Sequence, residues 1–168
     1  LKIFLLGLAL LLSNCGYRVA GSTNLLPKNI HTIAVTPFGN LTTQYKLSTY
    51  LSEAVSHELI ARTGYTIVAD PAKADATLSG GIANMFTNAT VADPVTGRGT
   101  GAQIIVLMQV RLVAKDGKVL LNRPNLEFRD RYEISVDAKQ YLDESQAALS
   151  RLSKDVARTV VSAILENF

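Results

Sequence analysis

Hydrophobic residues are arranged along this chain in three regimes, and each predicts a different element. The first is an unbroken apolar stretch from Ile3 to Leu12, preceded by Lys2 and followed by Ser13, Asn14 and Cys15. It is about half as long as a helix that crosses a hydrocarbon core of roughly 30 Å, so no permanent membrane span is expected from it.

The second regime has period two. Ile30 to Thr36 (IHTIAVT) is rich in β-branched residues and closed by Pro37, and Tyr65 to Ala69 (YTIVA) is ended by Asp70-Pro71. Ala76 to Phe86 reads as a third strand, in which Gly80-Gly81 implies a bulge or a close backbone approach. From Gln103 to Val113 the residues Ile104, Val106, Met108, Val110 and Leu112 share one face. The opposite face (Gln103, Ile105, Leu107, Gln109, Arg111) is mixed, which predicts a central or half-covered strand. Val119 to Ile134 forms the last strand, with Pro124 favouring an edge or a bulge. Here Leu126, Phe128, Tyr132 and Ile134 face one way and Glu127, Arg129, Arg131 and Glu133 the other, so one face is buried and one is wet. Asp130 breaks the pattern on the apolar side and marks either a bulge or a buried ion pair.

The third regime is helical. Leu47, Leu51, Ala54, Val55 and Leu59 recur at helical spacing between Gln44 and Thr63, with Thr43 as N-cap and Gly64 as stop. Asp143 with Gln146 resembles a capping box opening a terminal helix whose stripe is Leu149, Leu152, Val156, Val160, Ala163 and Ile164. Between elements, Asp116-Gly117 signals a tight hairpin. Thr87 to Gly101 reads as a loop in which the glycines around Arg98 make a flexible hairpin. The order β-α-β-β-β-β-α predicts an α+β two-layer sandwich: a mostly antiparallel sheet of four to five strands, with two amphipathic helices packed on one face. The other sheet face is left to meet a partner.

Composition narrows the class. At 168 residues, 48% hydrophobic and 18% charged, the chain suits one packed domain and not a disordered segment. The net charge is +3 with no dense Lys/Arg block, so nucleic acid is not an expected partner. The start of the chain matters more. Residues 1–14 have the plan of an export signal, and Leu12-Ser13-Asn14-Cys15 resembles a lipobox, although Asn14 departs from the small residue usual before the cysteine. A first residue of Leu fits either a truncated start or an alternative start codon. Cys15 is the only cysteine, so it has no internal disulfide partner and is free for acylation. Gly16 stands where lipoproteins kept in the inner membrane often carry Asp, which points to the outer membrane. The expected organisation is a signal peptide (1–14), a lipidated tether (15–29) and one α/β domain (30–168). Loss of Lys2 with the signal lowers the charge by one, leaving a nearly neutral domain whose basic residues matter by position.

Tests for chemistry return little. The two histidines, His31 and His57, have no Cys or carboxylate at metal-ligand spacing. No G-x-S-x-G elbow is present, and Gly97, Gly99 and Gly101 lack the G-x-x-x-x-G-K pattern of a phosphate loop. The triplets at Asn40 and Asn88 match the glycosylation pattern only by being short. A hydrolase would need a cleft joining His57 or His31 to a serine and a carboxylate. The expected class is therefore a lipid-anchored binding or assembly protein, not an enzyme, with no cofactor beyond the lipid on Cys15.

Cys15-Gly16-Tyr17-Arg18-Val19, then Leu26-Pro27 and the strand Ile33-Ala34-Val35, resembles the start of the LptE family of lipopolysaccharide-assembly lipoproteins. The resemblance runs on through the helix, the hairpin around Arg98, the Asp116-Gly117 turn, the strand ending Tyr132-Glu133-Ile134 and the long final helix. It implies a plug and assembly partner inside the LptD outer-membrane β-barrel that binds lipopolysaccharide. It also places Arg98, at the hairpin tip, and Lys139, in the loop after the last strand, where the family's basic ligand-contacting residues lie. Arg129 and Arg131 rank second on the wet strand face, with Glu127 and Glu133 beside them as possible neutralising partners. An accessory lipoprotein of another envelope transport or secretion system has the same anchor and compartment and stands as the alternative.

Overall fold

A computed structural model describes residues 26, 27, 29–135 and 137–166; the expected signal peptide and Cys15 lie outside the described residues. In chain order the elements are β1 (Thr32–Val35), β2 (Gly39–Asn40), α1 (Tyr45–Arg62), β3 (Thr66–Val68), a 3-10 turn (Pro71–Lys73), β4 (Ala76–Ala92), β5 (Gly99–Ala114), β6 (Val119–Glu133) and α2 (Ala138–Glu166). The strands form one sheet in the order β3-β1-β4-β5-β6, with β2 also on β4. β1 runs parallel to β3 and β4, and β2 parallel to β4, whereas β4, β5 and β6 form a long antiparallel meander. The expected α+β architecture is present. A sixth strand arises because Gly39–Asn40 resumes pairing after the break at Pro37-Phe38.

Burial follows the two periodicities. Along β5, Ile104, Val106, Met108, Val110 and Leu112 are each at most 2% exposed and meet Leu47, Leu51, Val55 and Leu59 of α1 and Leu152, Val156, Val160 and Ile164 of α2 in one core. The i, i+4 stripe of α1 is fully buried because the sheet lies on one side of it and α2 beside it. The folded unit reaches back to Leu26, which is buried and donates its N–H to the Tyr65 hydroxyl at 3.2 Å.

Several local expectations are corrected. Thr43 does not cap α1: the helix starts after Gln44 without a side-chain cap, because Asn40 and Thr42 build their own turn, Asn40 Oδ1 accepting from the Thr42 N–H and hydroxyl. α1 also ends at Arg62, two residues before Gly64, the extended Thr63 donating its N–H to the Leu59 carbonyl. α2 begins at Ala138, not near Asp143. Asp137 is its cap, its Oδ1 accepting from the N–H groups of Lys139 (2.9 Å) and Gln140 (3.0 Å). β4 runs on to Ala92 and β5 starts at Gly99, so most of the expected loop from Thr87 to Gly101 is a paired hairpin; its side chains are largely exposed, and the ladder alone fixes it. The bulge in β4 falls at Ala83, two residues past the glycine pair, while Gly80 serves a close approach to the Phe38 ring. Pro124 lies in an edge strand and also at a bulge, where Pro124-Asn125 oppose Gln109. Asp130 is explained by an ion pair, its Oδ2 lying 3.0 Å from Arg151 Nε of α2 at 21% side-chain exposure, with no bulge at that position.

One node ties the first strand to the sheet. Asp75 Oδ2 accepts from the N–H of His31, the N–H of Thr32 and the Thr32 hydroxyl, each at 2.9 Å. These bonds, the His31 amide foremost, hold its carboxyl below the ordinary range. A depressed folded-state value means that the stabilisation is complete at neutral pH, above the unfolded value, and is lost as pH falls through the depressed one. Asp75→Asn should therefore lower stability at neutral pH and reduce the further loss on going to about pH 3, followed by denaturant unfolding at each pH. An unchanged pH dependence in the variant would show that the node contributes nothing of this kind.

Candidate functional site

The four basic candidates fall into two environments. Arg98 closes the β4–β5 hairpin, whose turn runs from Asp93 to Arg98 with Gly97 at φ +69°. Left-handed backbone of this kind is glycine's to supply, so of the three neighbouring glycines only Gly97 belongs to the turn; Gly99 and Gly101 lie in β5. The Arg98 side chain is exposed, and no carboxylate pairs with it among the described residues. Lys139 is not in a loop as expected. It occupies the first turn of α2, exposed, its N–H held by the Asp137 cap. Both residues stand at the end of the sheet where β5 begins and β6 finishes, a junction closed by the Ile134 N–H donating to the Thr100 carbonyl at 2.9 Å. Between these elements lies an open groove of about 830 Å³ whose walls include Val91, Thr100, Glu133, Ile134, Gln140 and Glu144. Glu133 and Glu144 give this lining two carboxylates, and neither Arg98 nor Lys139 is part of it.

Arg129 and Arg131 lie on the sheet face away from the helices, opposite Ile105 and Gln103. Arg129 pairs with Glu127, two residues away on the same face, as the alternation implied. Arg131 has no carboxylate partner among the described residues, and its carbonyl accepts from Arg151. Of these two candidates, Arg129 is thus neutralised and Arg131 is without a carboxylate partner among the described residues.

A second concavity, about 390 Å³, lies between α1 and α2 and brings His57 beside Glu53, Glu58, Ser150 and Ser153. The parts of a hydrolytic relay are neighbours here without being connected. Ser153 donates to the Leu149 carbonyl at 2.8 Å, and the His57 imidazole makes no hydrogen bond among the described residues. His31 is exposed, far along the chain from these groups. Among the described residues, no cluster of three His, Cys, Asp or Glu is placed to hold a metal, and no helix is long and apolar enough to cross a membrane.

Sequence reasoning missed the residues that shape this end of the molecule. Asp93 lay unmarked inside the expected loop, and Asp137 had no assigned part in the terminal helix. The signal for Asp137 was its spacing from Gln140, the same as that of Asp143 from Gln146.

The family model for LptE, described as lipopolysaccharide-assembly, matches residues 30–164. No curated protein sequence matches the chain. Among solved structures, lipoprotein B from Nitrosomonas europaea superposes with a TM-score of 0.58 at 14% identity, covering 90% of this chain and 93% of that one. Rare lipoprotein B from Shewanella oneidensis gives 0.53 at 13% identity, with 80% and 94% covered. A minor lipoprotein from Acinetobacter baumannii gives 0.50 at 10% identity, with 84% and 95% covered. At these identities the likeness establishes the shared fold.

Proposed function

Because this chain belongs to the LptE family of lipopolysaccharide-assembly proteins, we propose that it works as an outer-membrane lipoprotein beside the LptD β-barrel, as plug and assembly partner in delivering lipopolysaccharide. In this reading residues 1–14 are removed, Cys15 carries the lipid, and the folded domain enters the barrel from the periplasmic side. A plug has to present polar surface to a polar lumen. The sheet face away from the helices does so with Gln103, Gln109, Arg111, Arg129 and Arg131. The role is binding and assembly, without a reaction of its own.

The observation that carries the ligand assignment is the presence of two exposed cations, Arg98 and Lys139, at one end of the sheet, Arg98 having no carboxylate partner among the described residues. Lipopolysaccharide bears phosphate and carboxylate groups, and charge-assisted hydrogen bonds to them are about twice as strong as neutral ones. Arg131 and the partly neutralised Arg129 give weaker secondary contacts. Arg98→Glu with Lys139→Glu should weaken lipopolysaccharide binding by about tenfold or more while leaving the melting temperature in place, since neither side chain is packed. Wild-type affinity in the double variant would remove the assignment. A mild-detergent pull-down decides the partner: LptD is expected, whereas recovery of another transport or secretion complex would favour the alternative envelope role.

A further inference from the structure

A cation at the tip of a hairpin ordinarily samples many positions, because its backbone is free as well as its side chain. Arg98 differs. Its carbonyl accepts from the Asp93 N–H at 2.7 Å, and its N–H faces the Thr96 hydroxyl at 3.4 Å. That hydroxyl donates to Asp93 Oδ1 at 3.0 Å. The same oxygen accepts from the N–H groups of Val95 (2.9 Å) and Thr96 (2.7 Å), and the Gly97 N–H returns to the Asp93 carbonyl at 2.9 Å. Both backbone polar groups of Arg98 are thus engaged by one network centred on Asp93, and Pro94 fixes a further torsion inside it.

We infer that Asp93 and Thr96 are positioning residues that pre-organise Arg98 to meet an anionic group of the ligand. The inference rests on the reading of Arg98 as a lipopolysaccharide contact. The strands do not need this network, since the β4–β5 ladder already pairs from Ala76 with Ala114 to Ala92 with Gly99. What the network adds is a fixed Cα from which the guanidinium is presented, so that less freedom is lost when ligand binds. The bonds to Thr96 and Val95 also keep the Asp93 carboxyl below its ordinary range, so it stays ionised well into acid.

The test is a double-mutant cycle on the full mature chain, titrated with purified lipopolysaccharide: Asp93→Ala, Arg98→Ala, the two combined, and Asp93→Asn. Asp93→Ala should weaken binding by about three- to tenfold with an unchanged melting temperature, and the combined variant should bind no more weakly than Arg98→Ala alone. Asp93→Asn retains an acceptor at Oδ1 and should recover most of the affinity. The backbone amide of Arg98, rigid in the wild type by NMR relaxation, should become mobile in Asp93→Ala. Additive losses in the combined variant, or full affinity in Asp93→Ala while Arg98→Ala is weakened, would overturn the positioning role alone. Full affinity in Arg98→Ala would overturn the ligand reading and this inference with it.

Discussion

Replacing Gly80 by alanine is expected to destabilise the domain by about 3 kcal/mol, against the usual sign for such a change. Glycine inside a strand normally weakens it, and alanine normally recovers about 0.5–1 kcal/mol. Here a Cβ at Gly80 would lie 2.1 Å from Phe38 Cε1 and 2.3 Å from Cδ1. The ring has nowhere to retreat. Phe38 is 2% exposed, its N–H donates to Ser52 Oγ at 3.1 Å, and its carbonyl accepts from the Ser48 hydroxyl, so α1 holds the backbone from both sides. Thermal unfolding should fall by roughly 6–12 °C for a domain of this size. In a Phe38→Ala background the clash is gone, and Gly80→Ala should add no further loss. A Gly80→Ala protein as stable as wild type would mean that the ring does not occupy that space.

The largest functional change is expected at the anchor. When residues 1–14 are exchanged for a cleavable export signal and Cys15→Ser is introduced, the protein should leave the membrane pellet for the soluble periplasmic fraction. In the proposed reading, buried acyl chain contributes about 0.8 kcal/mol per CH2, so two or more chains on Cys15 would supply on the order of 20 kcal/mol of attachment. No helix among the described residues is long and apolar enough to cross a membrane. The measurement is fractionation of protein expressed in excess over any barrel partner. An equal membrane share for the Cys15→Ser form would show that attachment does not depend on a lipid at that residue.

Legibility in the sequence tracked the range of the forces involved. β5, β6 and the buried stripes of both helices were readable because burial on one face writes a period directly into the residues. The outer half of β4 was not, since Thr87 to Val91 bury little and are strands only because β5 pairs with them. The start of α2 was misread because two acid-to-glutamine spacings compete. The apolar stripe begins only near Ala148, and the true cap at Asp137 opens exposed turns that carry no such stripe. That error carried Lys139 into a loop. The Glu127–Arg129 pair was legible from alternation alone, whereas the Asp130–Arg151 pair joins residues 21 apart on two different elements. Arg98 was singled out through resemblance, whereas its network shows only in the fold, because Asp93, Pro94 and Gly97 announce a turn without saying which donors it closes on.

The bulge at Pro124 and Asn125 also bears on how the free protein avoids association with other chains. β6 is a 15-residue edge strand, the kind of open ladder on which another polypeptide readily stacks. Pro124 offers no amide hydrogen there, the bulge throws the flanking residues out of step, and charged Glu127, Arg129, Arg131 and Glu133 line the run beyond it. In the proposed role, a copy not yet assembled would thus carry its own guard against being built into an aggregate.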